Sequence, residues 1–210
     1  MRKNLLKQMT LALLLTVAVP CVNAQIAHVG DILCTSGVYV SPAEYEASGL
    51  EAMAVIFYVD ATGQHGWAVA LEDAGSFDWE PVNYLDTPLS NYTTVRAAVY
   101  DLNGQFNTQE VLDFSLHTYP AFEAIDVANG WYLPAIGQLN YFYGNLVEVN
   151  AGLTVAEGTT FDMSSSWDYW SSTECSQQNA WYLSSSGKVD AGGNWHNKNN
   201  IKRVRGVRNF

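Results

Sequence analysis

The chain has 210 residues, with 21 Asp and Glu against 10 Lys and Arg and a formal net charge of −11, so it is acidic and long enough to bury a substantial core. Recognition of a phosphate backbone needs a cationic surface, and this balance excludes nucleic acid as an expected partner. The charge is also divided along the chain. Between Gln25 and Gly187 the only cation is Arg96, whereas Lys188, Lys198, Lys202, Arg203, Arg205 and Arg208 crowd the end, opposed there by Asp190 alone. Either that basic end lies against the acidic body and neutralises it, or it is offered to anionic ligands such as sulfated glycans.

The first 24 residues have the form of a secretory signal. Arg2, Lys3 and Lys7 precede the apolar run from Leu11 to Val19, and Val22, Asn23 and Ala24 form a small-residue cleavage site before Gln25. The run is too short for a stable membrane span, and no later stretch approaches the roughly 20 apolar residues that a transmembrane segment needs. Cys21 offers a lipidation point, but Pro20 stands where such signals favour a small flexible residue, and cleavage after Ala24 is the expected processing. Export permits a disulfide between Cys34 and Cys175, worth about 4 to 5 kcal/mol in a chain-entropy model; two separate buried thiols are the alternative.

Past the signal, the segments Asp31 to Leu33 and Val38 to Val40 flank a Thr35, Ser36, Gly37 turn and read as a hairpin. Ala52 to Val59 is almost wholly apolar and reads as a strand covered on both faces. It is paired across the Asp60 to Gly63 turn with His65 to Leu71, whose Trp67, Val69 and Leu71 share a face. The middle is helical. Asn91 or Thr93 caps a short helix carrying Val95, Ala98, Val99 and Leu102 and ending near Gly104; another starts near Asn107; Pro120 opens a third that stops at Gly130. One main helix spans about 135 to 149, burying Ile136, Leu139, Tyr143, Leu146 and Val149 and exposing Gln138, Asn145 and Glu148. Short strands follow at Tyr169 to Ser172, Ala180 to Ser184 and Val189 to Ala191. Val204 and Val207 differ in parity, so one regular strand cannot bury both, and Gly206 marks a bulge between them.

The order of hairpins, helices and a Trp-rich set of strands predicts an α+β fold. Gly130 to Pro134, the Gln138-Leu139 helix, Tyr169 to Glu174, Ala180 to Tyr182 and Val204 to Arg208 carry a resemblance to the Lcl C-terminal domain family and its FISUMP-like relatives. These are exported bacterial domains with a C-type lectin-like fold. The resemblance covers about residues 130 to 210 and is weaker over 29 to 129. It implies one lectin-like domain over 25 to 210 and a secreted or cell-surface, adhesin-like module that binds a glycan or surface protein without catalysis or cofactor. A fimbrial-tip or cell-envelope subunit with an envelope partner is the alternative. A third reading, a variable display protein of a diversity-generating retroelement, rests on the Asn-rich stretch from Lys188 to Lys202. In the family pattern Glu174 follows the Trp-Ser-Ser-Thr strand, where it caps or pairs with a terminal arginine; the Glu-Pro-Asn and Gln-Pro-Asp calcium motifs of animal lectins are absent.

Catalytic and metal patterns are poor. His28, His65, His117 and His196 are scattered, no Gly-x-Ser-x-Gly occurs, and Asp168 with Glu174 is a carboxylate pair of unknown separation. Trp131, Trp170 and Trp181 read as scaffold, together with Glu174, Arg205 and Arg208. Trp195 sits among Gly193, Asn194, His196 and Asn197 and reads as an exposed ring flanked by amides, the chemistry that stacks on and orients a sugar. The expected ligand-binding group is therefore Trp195 with Gln178, Asn179, Lys188, Asp190, Asn194, His196, Asn197 and Lys198.

Overall fold

A computed structural model describes residues 26–82, 87–114, 117–162, 164–187 and 195–210. The expected signal segment with Cys21, the strand over 189–191, and Lys188, Asp190 and Asn194 lie outside the described residues. The chain begins with β1 (Ile32–Cys34), β2 (Tyr39–Val40), α1 (Pro42–Ser48), β3 (Ala52–Val59), β4 (Gly66–Ala70) and β5 (Gly75–Asp78). Then come α2 (Val95–Ala98), α3 (Gly104–Asp113), α4 (Pro120–Glu123), a 3-10 turn at Val127–Asn129, α5 (Ile136–Gly144) and α6 (Leu146–Val155). It closes with β6 (Asp168–Ser176), β7 (Asn179–Ser184), β8 (Trp195–Asn197), β9 (Ile201–Val204) and β10 (Val207–Asn209). The fold is α+β, with two sheets that are mostly antiparallel.

The first sheet has the order β10-β4-β3-β1-β2. The unbroken apolar run of β3 is explained by its position: Val55 and Phe57 enter a cluster with Leu139, Phe142, Leu146 and Val149, and Ala54 and Ile56 enter another with Leu33 and Ala68. Helix α1 was not expected. Its sequence does carry start and stop signals, Pro42 in the first turn after Ser41 and Gly49 in the left-handed region at φ 64°.

The single helix expected over 135 to 149 is two helices broken at Asn145, whose backbone lies at φ −118° and ψ 20°. The Asn145 amide donates to Phe57 O at 2.9 Å and to Tyr141 O at 3.3 Å, a local alternative to continuing the helix. The apolar stripe survives the break, but Gln138, expected outside, is 1% exposed. It accepts from Ala135 N–H and donates to the Tyr132 hydroxyl. The helix expected at 95 to 104 is shorter and is capped by Thr94, which accepts from Ala97 N–H; Gly104 starts the next helix instead of ending this one.

The second sheet has the order β5-β9-β6-β7-β8, with β6 and β9 parallel. Trp170 and Trp181 are fully buried, as expected, whereas Trp131 is only half-buried. The parity conflict between Val204 and Val207 is resolved by a change of sheet, not by a bulge. β9 pairs with β5 and puts Val204 beside Trp170; the chain crosses at Arg205 and Gly206; β10 pairs with β4 and puts Val207 beside Val55 and Phe57. Cys34 and Cys175 are separate free thiols, and burial pushes both above the ordinary cysteine value. Among the described residues no helix is long and apolar enough to cross a membrane.

Helix α6 crosses the first sheet closely enough that Gly152 has no room for a methyl group: a Cβ there would collide with the Gly30 carbonyl oxygen and lie 2.7 Å from Val55 Cγ1. Glycine-to-alanine in an open helix stabilises by about 1 kcal/mol. Here the sign reverses, and Gly152→Ala lowers stability by about 1 to 3 kcal/mol through overpacking, measurable as a reduced urea midpoint.

Candidate functional site

The basic end of the chain is laid against the acidic body. Lys198, expected at the ligand surface, is instead fully buried, with Nζ 2.6 Å from Glu174 Oε1 and 3.6 Å from Glu80 Oε2. Its position follows from strand geometry. Lys198 N–H donates to Gln178 O, and its carbonyl accepts from Trp79 and Glu80 N–H, which turns the side chain inward over the Trp79 ring at 4.4 Å. A buried ammonium is tolerable only when paired, and Glu174 is that pair. Glu174 also accepts from the Thr87 hydroxyl. The partner of Glu174 is thus Lys198, not the terminal arginine expected. Burial dominates its titration and raises the carboxyl above its ordinary value of 4.5, against the opposing pull of Lys198.

The other described cations of this end are also occupied. Lys202 Nζ is 2.9 Å from Asp168 Oδ2 and 3.7 Å from the centre of the Tyr182 ring. Burial pushes its ammonium below the usual lysine value. Arg205 donates to the Ala70 and Leu71 carbonyls, lies 3.6 Å from Asp73 and covers the Phe161 ring at 4.3 Å. Arg203 lies 3.7 Å from Asp73, and Arg208 covers the half-buried Trp131 at 5.3 Å. Asp168 and Glu174, the carboxylates considered for glycoside chemistry, each hold a lysine.

What remains outward is smaller. β8 pairs with β7 in the register Asn179 with Asn197, Ala180 with His196 and Trp181 with Trp195. All three β8 residues are exposed, and so is Gln178; Asn179 is half-buried, with its amide on Ser176 Oγ at 3.1 Å. Trp195 is 38% exposed and stands edge-on to the buried Trp181, with ring centres 5.5 Å apart. His196 leans on Tyr182 at 4.9 Å; burial, and then the charge of Lys202, push its imidazole below the ordinary value. The edge thus brings Gln178, Asn179, Trp195, His196 and Asn197 together and excludes Lys198. It is an aromatic and amide surface with no free cation among its described residues.

No family model and no curated protein sequence matches the chain. Among solved structures it is similar to a fimbrial protein from Bacteroides ovatus ATCC 8483. The likeness has a TM-score of 0.61 and covers 88% of this chain at 20% sequence identity. At that identity it shows the fold alone. The chain spans 49% of the length of that protein.

Sequence reasoning missed Glu80, Trp79 and Thr87. Each joins the site through a partner distant along the chain, and no local spacing signals that. Removing the ammonium with Lys198→Ala leaves Glu174 and Glu80 buried together, and is expected to cost about 3 to 5 kcal/mol in urea unfolding at neutral pH. Because the folded carboxyl of Glu174 is raised above its unfolded value, the folded chain binds that proton more tightly. The associated stability is complete below the ordinary value of 4.5 and is lost as pH rises through the raised folded value. Glu174→Gln flattens that part of the stability-against-pH curve; an unchanged slope across a series of urea midpoints would refute the assignment.

Proposed function

We propose that this chain is an exported, non-catalytic surface module of fimbrial type that presents the β7 and β8 edge to a glycan or surface protein. The observation that carries the reading is the likeness, over 88% of the chain, to a fimbrial protein. The signal-like residues 1 to 24 support export, and the resemblance of residues 130 to 210 to the Lcl and FISUMP-like domains points the same way. The C-type lectin-like reading of the fold belongs to this proposal. It is supported by the return of the C-terminal strand β10 into the sheet that holds the N-terminal β1, which leaves the second sheet to carry the exposed edge.

The non-catalytic reading rests on how the polar groups are used. Asp168 and Glu174 are tied to lysines, and both cysteine thiols are buried with raised titration points. The edge itself offers an aromatic ring and side-chain amides, groups suited to orienting a ligand.

A binding role requires that Trp195 be dispensable for folding, and its 38% exposure at the rim supports that. Trp195→Ala is expected to leave the urea midpoint within about 0.5 kcal/mol of the parent while reducing capture on a printed glycan array or on envelope proteins by about tenfold or more. Fractionation and affinity purification from the native cell then separate the two partner classes. Recovery of fimbrial subunits with both parent and Trp195→Ala favours the structural-subunit alternative, and a cytoplasmic location with an uncleaved N-terminus defeats the proposal.

A further inference from the structure

On the first sheet, away from the Trp195 edge, the register of three strands sets Tyr58, Trp67 and Asn209 in one cross-strand row: Tyr58 pairs with Trp67, and Trp67 with Asn209. Tyr58 and Trp67 stack at 4.3 Å, and Tyr141 of α5, 43% exposed, closes on both at 4.9 and 5.8 Å. Two adjoining hollows open here, of about 260 and about 330 Å3, and Trp67 and Asn209 line both. The smaller one has Leu102 and Phe106 on its rim, 38% and 61% exposed, and no charged side chain in its lining.

The polar groups of the smaller hollow are ordered by one directional chain of hydrogen bonds. Ala135 N–H donates to Gln138 Oε1 at 3.0 Å, and Gln138 Nε2 to the Tyr132 hydroxyl at 3.1 Å. The Tyr132 hydroxyl donates to Asn209 Oδ1 at 2.7 Å, and Asn209 Nδ2 to Gln105 Oε1 at 2.9 Å. The chain starts from a backbone N–H at the head of α5, so the sense of every amide along it is set. Burial holds the Tyr132 phenol up at about 12, which keeps it a donor at any physiological pH. The consequence is at the outer end: Gln105 has its oxygen engaged inward and its NH2 group left to point donors outward, and Asn209 keeps a second N–H. Asn103, also exposed, adds an amide that makes no capping bond to α3. Amides held in one orientation beside stacked aromatic rings match a ligand with C–H faces and hydroxyl acceptors. The uncharged lining and the net charge of −11 select against an anionic ligand.

We propose that the smaller hollow is a binding subsite for an uncharged saccharide, with Trp67, Leu102 and Phe106 as its apolar wall and Asn103, Gln105 and Asn209 as its hydrogen-bonding rim. It goes beyond the reading of the Trp195 edge and does not depend on that edge.

The test uses the full mature chain and four neutral hexasaccharides, maltohexaose, cellohexaose, xylohexaose and mannohexaose, with a heparin hexasaccharide as the anionic comparison, in isothermal titration. At least one neutral probe is expected to bind, with affinity reduced about tenfold in Asn103→Ala/Gln105→Ala. Both substituted amides are exposed, and an unchanged urea midpoint checks that the double variant folds; Gln105→Glu, which puts a carboxylate where the donors stand, is a second variant expected to lose binding. The proposal is overturned if no neutral probe binds at millimolar concentration, if heparin is preferred, or if binding survives the amide substitutions. Loss in Trp195→Ala alone would assign the saccharide to the other edge and also overturn it.

Discussion

The ion pair between Lys198 and Glu174 is the interaction on which the second sheet depends. Glu174 lies in the middle sheet strand β6, Lys198 in the turn between β8 and β9, and Glu80 just past β5, so one ammonium joins three segments that are far apart along the sequence. An apolar contact of the same area would tolerate sliding; a buried charge does not, because a displaced ammonium or carboxylate is left without solvent or partner. The pair therefore sets register more than it adds stability. Trp79, Trp170 and Trp181 then pack around the position it defines, with their indole N–H groups donating to Ser171 O, Phe77 O and Tyr92 O. The exposed Trp195 has a defined place because Trp181 beneath it has one.

A second constraint joins the two sheets. After β9 the chain must leave one sheet and enter the other, and Arg205 sits at that step with its guanidinium on the carbonyls that end β4. Leu71 O also accepts from Thr159 N–H, so Arg205 adds a donor at the point where the β4 ladder ends. Gly206 returns the exchange by accepting from Ala70 N–H. The crossing explains why two valines of opposite parity are both buried: each serves a different sheet.

Much of the scaffold was legible in the sequence because it is written in local signals. The period-2 and unbroken apolar runs locate β1 to β4, and the Trp-bearing segments locate β6 and β7. The failures share a cause. A helix over 135 to 149 satisfies every periodic criterion, but Asn145 has a carbonyl of β3 within reach, and that competitor is visible only in three dimensions. Gln138 occupies a polar position on the helical wheel and is buried because Tyr132 and Ala135 meet its amide. Of the candidate site, the aromatic and amide character of residues 178–179 and 195–197 was readable, whereas the burial of Lys198 was not. A lysine between two asparagines reads as surface until a carboxylate from another strand is set opposite it.

The same pairing changes what the outer surface can attract. Read as a sequence, the basic end either neutralises the acidic body or offers a patch to sulfated polymers. Folded, Lys198, Lys202 and Arg205 are buried against acids, and Arg203 and Arg208 lie over aromatic rings, so their charge is spent within the molecule. Among the described residues the ion pairs to lysine or arginine use Glu80, Glu174, Asp168 and Asp73 of the chain's 21 acidic groups, and the net charge of −11 makes the surrounding field negative. A polyanion approaching that field loses the electrostatic steering that sulfate recognition relies on, while an uncharged ligand feels only local contacts. On the binding role proposed above, selectivity would then reside where rings and oriented amides meet, at the Trp195 edge and in the hollow beside Trp67.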